Sequence, residues 1–280
     1  MPPDFGVYEM LEDNLKKMGF SQVSVLAPSF RYKFKDRLLN FLQKSLFKNR
    51  AYKKQLIDLY YNTEISNTLS SFAEGSVDYA IVIRPDKLNA ATISHLHSVA
   101  NKVIAYQWDG LARFPKVFKV IPLFKRFFVF DPEDYNRYKY QYPNLLLCTN
   151  FYFDTSEEKT LVNKNEVMYV GVYIQNRIDS LLKIVDKLSK YTQLSLNINL
   201  FNRGKDPLHH PYITFFSKGI SYTQYLNFTK KAAILLDIKT IEHSGLSFRI
   251  FEAIKYEKKL ITDNLSVCLL YTSDAADERS

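Results

Sequence analysis

The chain has 280 residues, 46% of them hydrophobic and 15% aromatic, and a formal net charge of +9. This composition excludes a disordered chain, two cysteines exclude a disulfide framework, and no apolar run reaches the roughly 18–20 residues of a membrane span. The charge favours polyanionic partners: nucleic acid, an anionic membrane or phosphorylated small molecules. Because cysteines are few and the start lacks the pattern of a secretory signal, we expect a cytoplasmic protein.

The N-terminal segment predicts a helix from about Val7 to Met18 and a strand near Gln22 to Ala27. In a βαβ unit another strand precedes such a helix. We therefore expect the natural protein to begin before Met1.

The segment from Arg31 to Gln55 is strongly basic, and a second basic stretch covers Lys116 to Phe128. Helical spacing in the first segment is shown by Leu38, Leu39, Leu42 and Leu46. The pattern leaves two interpretations open, a solvated helix face whose leucines pack inward and a surface that binds polyanions. No zinc, RNA-binding or recognition-helix motif accompanies the charge, so we expect no nucleic-acid partner.

Short apolar runs alternate with helical patterns through the rest of the chain. The predicted strands are Asp78–Arg84, Lys102–Trp108, Phe127–Phe130, Leu145–Thr149, Val167–Val172, Leu194–Leu200, Ala232–Ile238 and Lys259–Thr262. A helix is predicted from Arg177 to Tyr191. Apolar strands that alternate with amphipathic helices indicate the α/β class with parallel sheets.

The polar stretch from Asp154 to Glu166 interrupts this alternation and is the predicted linker. It divides the chain into two Rossmann-like domains, residues 1–153 and 167–267, and we expect a cleft between them. Residues 268–280, CLLYTSDAADERS, are small and acidic and resemble the translated read-through of a sequencing-library adapter. We expect this tail to be non-native and the second domain to be incomplete.

Ligands of open parallel sheets bind beyond the carboxyl ends of the strands. After the strand VMYV come Gly171, Asn176 and Arg177, which open a helix. A glycine turn before a helix N-terminus suits phosphate, with Arg177 as a bidentate donor. The alternative is a tight turn followed by a solvated arginine, and the residues alone do not decide between the two.

A second strand end precedes GLSFRIFEAI, in which Gly245 and Ser247 suit a turn and a helix N-cap. Arg249 and Glu252 stand one helical turn apart. One interpretation is a surface ion pair. The other is a polar pair that faces the cleft, while the apolar side of the helix packs inward through Phe248, Ile250, Phe251, Ala253 and Ile254.

Two further carboxylates follow strands. Asp109 precedes a glycine and is the candidate general base, whereas Asp131 precedes Pro132 and suits a helix N-cap. The histidines form no metal-ligand spacing, and we expect no metal.

Several motifs together resemble the GT-B glycosyltransferases of glycosyl transferases group 1, and more narrowly their CgeB-like (spore maturation protein) branch. The motifs are AYQWDGLARFP, FFVFDPEDY, VGVYIQNR and GLSFRIFEAIKYEKKLITDN. The resemblance implies a GT-B fold and metal-independent, hexosyltransferase-like transfer from a nucleotide-diphospho-sugar, with no other cofactor. It implies as acceptor a glycan or lipid-linked precursor of a bacterial surface polysaccharide, such as lipopolysaccharide or capsule, and a site at the inner face of an anionic membrane.

By the same resemblance, Glu252 matches the carboxylate that binds the nucleotide ribose. Gly245, Leu246, Ser247 and Arg249 match the diphosphate side, and Gly171 and Arg177 match the first loop of the domain. Many group 1 enzymes carry a second Glu at the place of Ser244, so this chain departs from the pattern there. The departure leaves open an alternative function, a non-catalytic nucleotide- or glycan-binding protein on the same fold.

Overall fold

The computed structural model describes residues 4–155, 160–202, 204, 207–240, 243–268 and 270. In this part of the chain the α-helices are α1 (Val7–Lys17), α2 (Phe34–Ser45), α3 (Tyr52–Leu69), α4 (Ala90–Val99), α5 (Pro132–Tyr138), α6 (Gln175–Leu188), α7 (Tyr222–Lys231) and α8 (Phe248–Lys255). The strands are β1 (Val77–Ile83), β2 (Ala100–Gln107), β3 (Arg126–Val129), β4 (Leu145–Leu147), β5 (Asn163–Val172), β6 (Ser195–Phe201), β7 (Ile213–Phe216), β8 (Ala232–Asp237) and β9 (Lys259–Thr262).

The chain divides into two compact units. Among the described residues, the first contains residues 24–129 and 134–147, and the second contains residues 4–23, 130–133 and those described between 148 and 270. Each unit holds one sheet whose strands all run parallel. The predicted α/β class with two parallel sheets is therefore confirmed.

The sheet of the first unit has the strand order β1-β2-β3-β4. Its core is built from strand and helix residues that are inaccessible to solvent, including Ile93, Ala105, Phe127 and Val129. Short 3-10 turns, rather than an α-helix, connect β2 to β3.

The sheet of the second unit has the order β7-β6-β5-β8-β9. Val167, Met168 and Tyr169 in β5 and Leu235 and Leu236 in β8 have no solvent exposure. Burial on both faces is what continuous apolar runs in a parallel sheet predict. The chain winds outward from β5 in one direction through β6 and in the other through β8, so the topological switch point lies between β5 and β8.

Helix α1 belongs to the second unit, although its residues were predicted to lie in the first domain. Its apolar side, Val7, Met10 and Leu11, packs against a cluster that includes Phe153 and Tyr222. The helix forms as predicted, but the predicted strand near Gln22–Ala27 is wrong. Those residues form no ladder with a neighbouring strand in the described part of the chain.

The predicted linker differs from the structure at its C-terminal end, because Asn163–Glu166 already belong to β5. Residues 156–159 of the linker and residues 269 and 271–280 of the predicted non-native tail lie outside the described residues. Strand β7 was not predicted.

Helix α2 forms, but of the two open interpretations the one in which its leucines pack inward does not describe it. None of its residues is buried. Across the described helices, none is both long and apolar enough to cross a bilayer.

Candidate functional site

The candidate site of the second unit lies at the switch point of its sheet. Helix α6 begins three residues after β5 ends, and α8 follows β8 after a longer loop. In doubly wound sheets the loops on the two sides of the switch point diverge and leave room for a ligand at the carboxyl edge. The polar side chains near these two strand ends therefore define the candidate site.

Tyr169 and Arg177 meet at the end of β5. Tyr169 is fully buried, and its hydroxyl accepts a hydrogen bond from Nη1 of Arg177 at 3.1 Å. A Cβ placed on Gly171 would lie 2.9 Å from this hydroxyl. Gly171 thus lies inside β5, not in a turn, and it leaves space for the tyrosine ring. The prediction of a glycine turn here is wrong in position.

Arg249, in the first turn of α8, also lies at the ends of β5 and β8. Its Nη1 donates to Oδ1 of Asp237 at 3.1 Å, and its Nη2 donates to the carbonyl of Val170 at 2.5 Å. Its guanidinium carbon also lies 4.8 Å from the centre of the Tyr169 ring. Burial disfavours the cation, but the neighbouring Tyr225 and Asp237 outweigh burial and raise the pKa of Arg249. The guanidinium is therefore a permanent positive charge at the switch point.

Arg177 and Arg249 share a further property. The Nε atom of each is buried and has no hydrogen-bond partner among the described residues. Both arginines also contact Tyr169, one through its hydroxyl and one through its ring face. Buried donors without acceptors are uncommon in native structures and call for an explanation. Two such donors on cations at one switch point suit an anionic ligand.

Glu252 is buried, with 1% of its surface exposed. Its two carboxylate oxygens accept hydrogen bonds from the hydroxyls of Tyr222 and Tyr225 on α7. Burial raises the pKa of Glu252 above its usual value, although the two tyrosine hydroxyls act in the opposite direction. Burial and the nearby carboxylate also raise the pKa values of Tyr222 and Tyr225.

The burial of Arg249 and Glu252 corrects the predicted orientation of α8. The inward side of the helix carries both polar residues together with Ile250 and Ala253, whereas Ile254 is 57% exposed. The interpretation as a surface ion pair is wrong, because Arg249 pairs with Asp237 rather than Glu252 in the described structure.

The loop before α8 is held by side-chain amides. Asn264 donates to the carbonyl of Gly245 at 3.2 Å, and Asn150 donates to the carbonyl of Leu246 at 2.8 Å. Ser247 stands at the N-cap position of α8, but its hydroxyl donates to Asp237 at 2.8 Å instead of capping the helix. The loop therefore holds the start of α8 in place against β8.

We expect Gly245→Ala to lower the free energy of unfolding by about 1–3 kcal/mol, as overpacking does. A Cβ there would lie 2.4 Å from the Phe130 ring and 3.0 Å from the backbone oxygen of Phe130. Urea denaturation of the variant measures this loss. Gly204→Ala is the matched control, because its Cβ would meet nothing closer than 3.8 Å. Equal stability of the two variants would contradict the close approach.

Ser244, which stands where many group 1 enzymes carry a second glutamate, binds Asp131. Its backbone N–H and its hydroxyl donate to the two carboxylate oxygens at 3.3 Å and 3.2 Å. Asp131 also accepts from the N–H of Glu133 at the start of α5, so its predicted N-cap role is confirmed. The serine hydroxyl thus adds a side-chain donor to a buried carboxylate, which a glutamate side chain would repel.

Asp109 lies in the first unit, two residues after β2. Its carboxylate forms ion pairs with Arg84 at 2.8 Å and Arg113 at 3.1 Å. Arg84 also pairs with Asp86 and lies over the ring of Phe114 at 3.5 Å. Each carboxylate oxygen of Asp109 therefore already has an arginine as its partner. The base role stays a prediction, and this geometry does not favour it.

Sequence reasoning missed Asp237, Tyr169 and the two tyrosines of α7. Asp237 could have been found, because it is the penultimate residue of a predicted strand and lies close to the strand end, where the same rule selected Asp109. The tyrosines could not, since they lie 27 and 30 residues before Glu252. Among the described residues no group of three His, Cys, Asp or Glu side chains could hold a metal ion.

The solved structures that are similar to the chain include two alpha-glucosyltransferase complexes. An alpha-glucosyltransferase in complex with UDP and a 13-mer DNA containing an HMU base matches at 11% identity with a TM-score of 0.46. An alpha-glucosyltransferase in complex with UDP-glucose and DNA containing an abasic site matches at 14% identity with a TM-score of 0.44. Each match covers 72% of this chain and 64% of the other chain, so the chain spans under two thirds of their length. No protein-family model and no curated protein sequence matches the chain.

Proposed function

We propose that the chain is part of a GT-B glycosyltransferase and binds a nucleotide-diphospho-sugar at the switch point of its second sheet. One observation carries the proposal: Arg177 and Arg249 approach the same tyrosine at the carboxyl ends of β5 and β8, and the buried Nε of each finds no acceptor in the described part of the chain. A diphosphate supplies several oxygen acceptors and two negative charges. It would satisfy both donors at once.

The helix starts support the same ligand. Arg177 lies in the first turn of α6, and Arg249 lies in the first turn of α8. The N-terminus of a helix carries a partial positive charge. Helix α6 has 14 residues and α8 has 8, so each is long enough to contribute such a charge. Two arginines and two helix dipoles would offset the diphosphate charge without a divalent cation. Metal-independent transfer is therefore part of the proposal.

Glu252 is the proposed partner of the ribose hydroxyls. In the structure its oxygens are occupied by Tyr222 and Tyr225. A ribose hydroxyl is chemically similar to these donors, so it would bind Glu252 by displacing a tyrosine hydroxyl. The Gly245-Leu246-Ser247 loop would then face the phosphates from the start of α8.

The acceptor we propose is a glycan or lipid-linked precursor of a bacterial surface polysaccharide. This step rests on the resemblance to the CgeB-like branch and on the basic composition, which suits an anionic acceptor. DNA is the competing acceptor to be tested, because both alpha-glucosyltransferase structures named above contain DNA.

Thermal unfolding with a panel of ligands tests the proposal. We expect UDP or GDP, or one of their sugar conjugates, to raise the melting temperature, and CMP, which has a single phosphate, to raise it less. Saturation at 100 times the dissociation constant adds about 2.7 kcal/mol to the stability. A shift with one base would identify the donor class. Absence of any shift would contradict the proposed site.

Turnover distinguishes an enzyme from a binding protein on the same fold. We expect release of nucleoside diphosphate from the donor that stabilises the chain, faster with a polysaccharide precursor than with duplex DNA. Asp109→Asn tests the candidate base: slower release with unchanged donor binding would support that role, and unchanged release would exclude it. Tight donor binding with no release or transfer would favour the non-catalytic alternative.

A further inference from the structure

The apolar side of α2 points away from the protein. Phe34, Leu38 and Phe41 stand at helical spacing, and all three are exposed, Phe34 at 81% and Phe41 at 64%. The opposite stripe, Asp36, Asn40 and Gln43, has the same spacing and is the less exposed side of the helix. A surface helix of a globular protein normally has the reverse orientation.

The exposed apolar surface extends past the end of the helix. Leu46 and Phe47 follow α2 directly, and 70% of Phe47 is exposed. Apolar side chains scattered singly on a surface are ordinary, but a contiguous set of large ones indicates a binding surface. Residues 34–47 therefore form one apolar face, called the α2 face below.

The α2 face is surrounded by positive charge. Between Arg31 and Arg50 the sequence has seven lysines and arginines and one acidic residue, Asp36. Asp36 accepts the backbone N–H of Lys33 and caps the helix. Within the described part of the chain, none of these seven cations forms an ion pair. The charges are thus available to a partner.

Cations and an aromatic ring also meet in one depression. An open cavity of about 420 Å³ is lined by Phe41, Lys44, Ser45 and Arg50. Lysine and arginine side chains suit a phosphate group, and the adjacent phenylalanine suits an acyl chain. This combination of chemistries occurs in one molecule in an anionic phospholipid.

We propose that the α2 face docks on an anionic lipid surface. The helix lies in the plane of the membrane, with Phe34, Phe41 and Phe47 in the acyl boundary and the flanking cations at the headgroups. A second copy of the chain would also cover apolar residues, but seven like charges around the face oppose self-association. Charge complementarity favours the membrane.

Vesicle sedimentation of the full chain, without nucleotide, tests this inference independently of the donor site. We expect binding to vesicles of phosphatidylcholine with phosphatidylglycerol, and weaker binding to phosphatidylcholine alone. The triple variant Phe34→Ser, Phe41→Ser, Phe47→Ser should bind at least about tenfold more weakly. Tyr140→Ser is the matched apolar control, because Tyr140 lies in the same unit and is 86% exposed.

The charge component has its own variant pair. Lys44→Glu with Arg50→Glu should reduce binding by about tenfold and make it less sensitive to salt. Lys183→Glu with Lys187→Glu changes the net charge equally at exposed positions of α6 and should bind like the wild type.

Four results would overturn the inference. The first is absence of vesicle binding, and the second is equal binding by variants and controls. The third is a clear decrease of the melting temperature in the triple variant, and the fourth is a wild-type dimer that is absent in the triple variant. The third would show that the chain itself covers the α2 face, and the fourth that a second copy does.

Discussion

Replacement of Glu252 by alanine should lower the free energy of unfolding by about 2–4 kcal/mol. The carboxylate is the acceptor for the hydroxyls of Tyr222 and Tyr225, and all three side chains lie between α7 and α8. Alanine would leave two buried donors without an acceptor and would open a cavity. Urea unfolding at neutral pH measures the loss. An alanine variant as stable as the wild type would contradict the role of Glu252 in holding the two helices together.

Glu252→Gln keeps the shape of the side chain and removes its negative charge. Because burial raises the folded-state pKa of Glu252 above its usual value near 4.5, the folded state binds the proton more tightly than the unfolded state. The resulting stability is fully present below pH about 4.5 and is lost as pH rises through the folded pKa. Glutamine does not titrate, so the glutamine variant should gain stability relative to the wild type as pH increases. Parallel pH profiles would show that the pKa is not raised.

Replacement of Arg249 by leucine should weaken nucleotide binding by about 10- to 100-fold, the value of a charge-assisted hydrogen bond. Its Nε donor lies next to β5 and β8 and has no acceptor among the residues that the structure describes. Arg249→Lys keeps the charge but loses the planar guanidinium. The nucleotide affinity of this variant should therefore lie between those of the leucine variant and the wild type. Isothermal titration with the stabilising nucleotide measures all three proteins.

Arg249 also supports the fold, so the experiment must distinguish a loss of nucleotide affinity from a loss of stability. Leucine would leave Asp237 buried, although Ser247 and Thr262 still donate to it. The double variant Arg249→Leu, Asp237→Asn removes the stranded charge and should recover most of the lost stability. We expect it to bind nucleotide as weakly as the single leucine variant. Recovery of affinity together with stability would mean that Arg249 only supports the fold.

The second sheet was predictable because its strands are buried on both faces. Val167–Val172 and Ala232–Ile238 are largely apolar runs, and each forms a strand close to its predicted bounds. The composition of a buried strand thus indicates its environment. The composition of β7 does not, since Ile213–Phe216 contains a polar Thr214 and only Ile213 is buried.

Helix α2 shows the limit of periodicity. The spacing of Leu38, Leu39, Leu42 and Leu46 identifies a helix with an apolar side, and the helix forms. Periodicity does not say what lies opposite that side. Here the described residues leave it exposed, which depends on tertiary structure rather than on local sequence.

The candidate site was predictable where chain order fixes it. Arg177 and Arg249 follow strands, and strand ends meet at one edge of a parallel sheet. Asp237, Tyr222 and Tyr225 become partners of Arg249 and Glu252 only through packing of α7, α8 and the sheet. The sequence therefore predicted which elements carry the site, but not that Glu252 is buried beneath two tyrosines.

Hydrogen exchange with and without the stabilising nucleotide tests the central claim most directly. The account predicts slower exchange at the start of α6, residues 171–177, and at the loop and start of α8, residues 245–252. Exchange in α2, residues 34–45, should stay unchanged and serves as the internal control. Protection outside the second sheet's switch point, or no protection at residues 171–177 and 245–252 when nucleotide is bound, would contradict it.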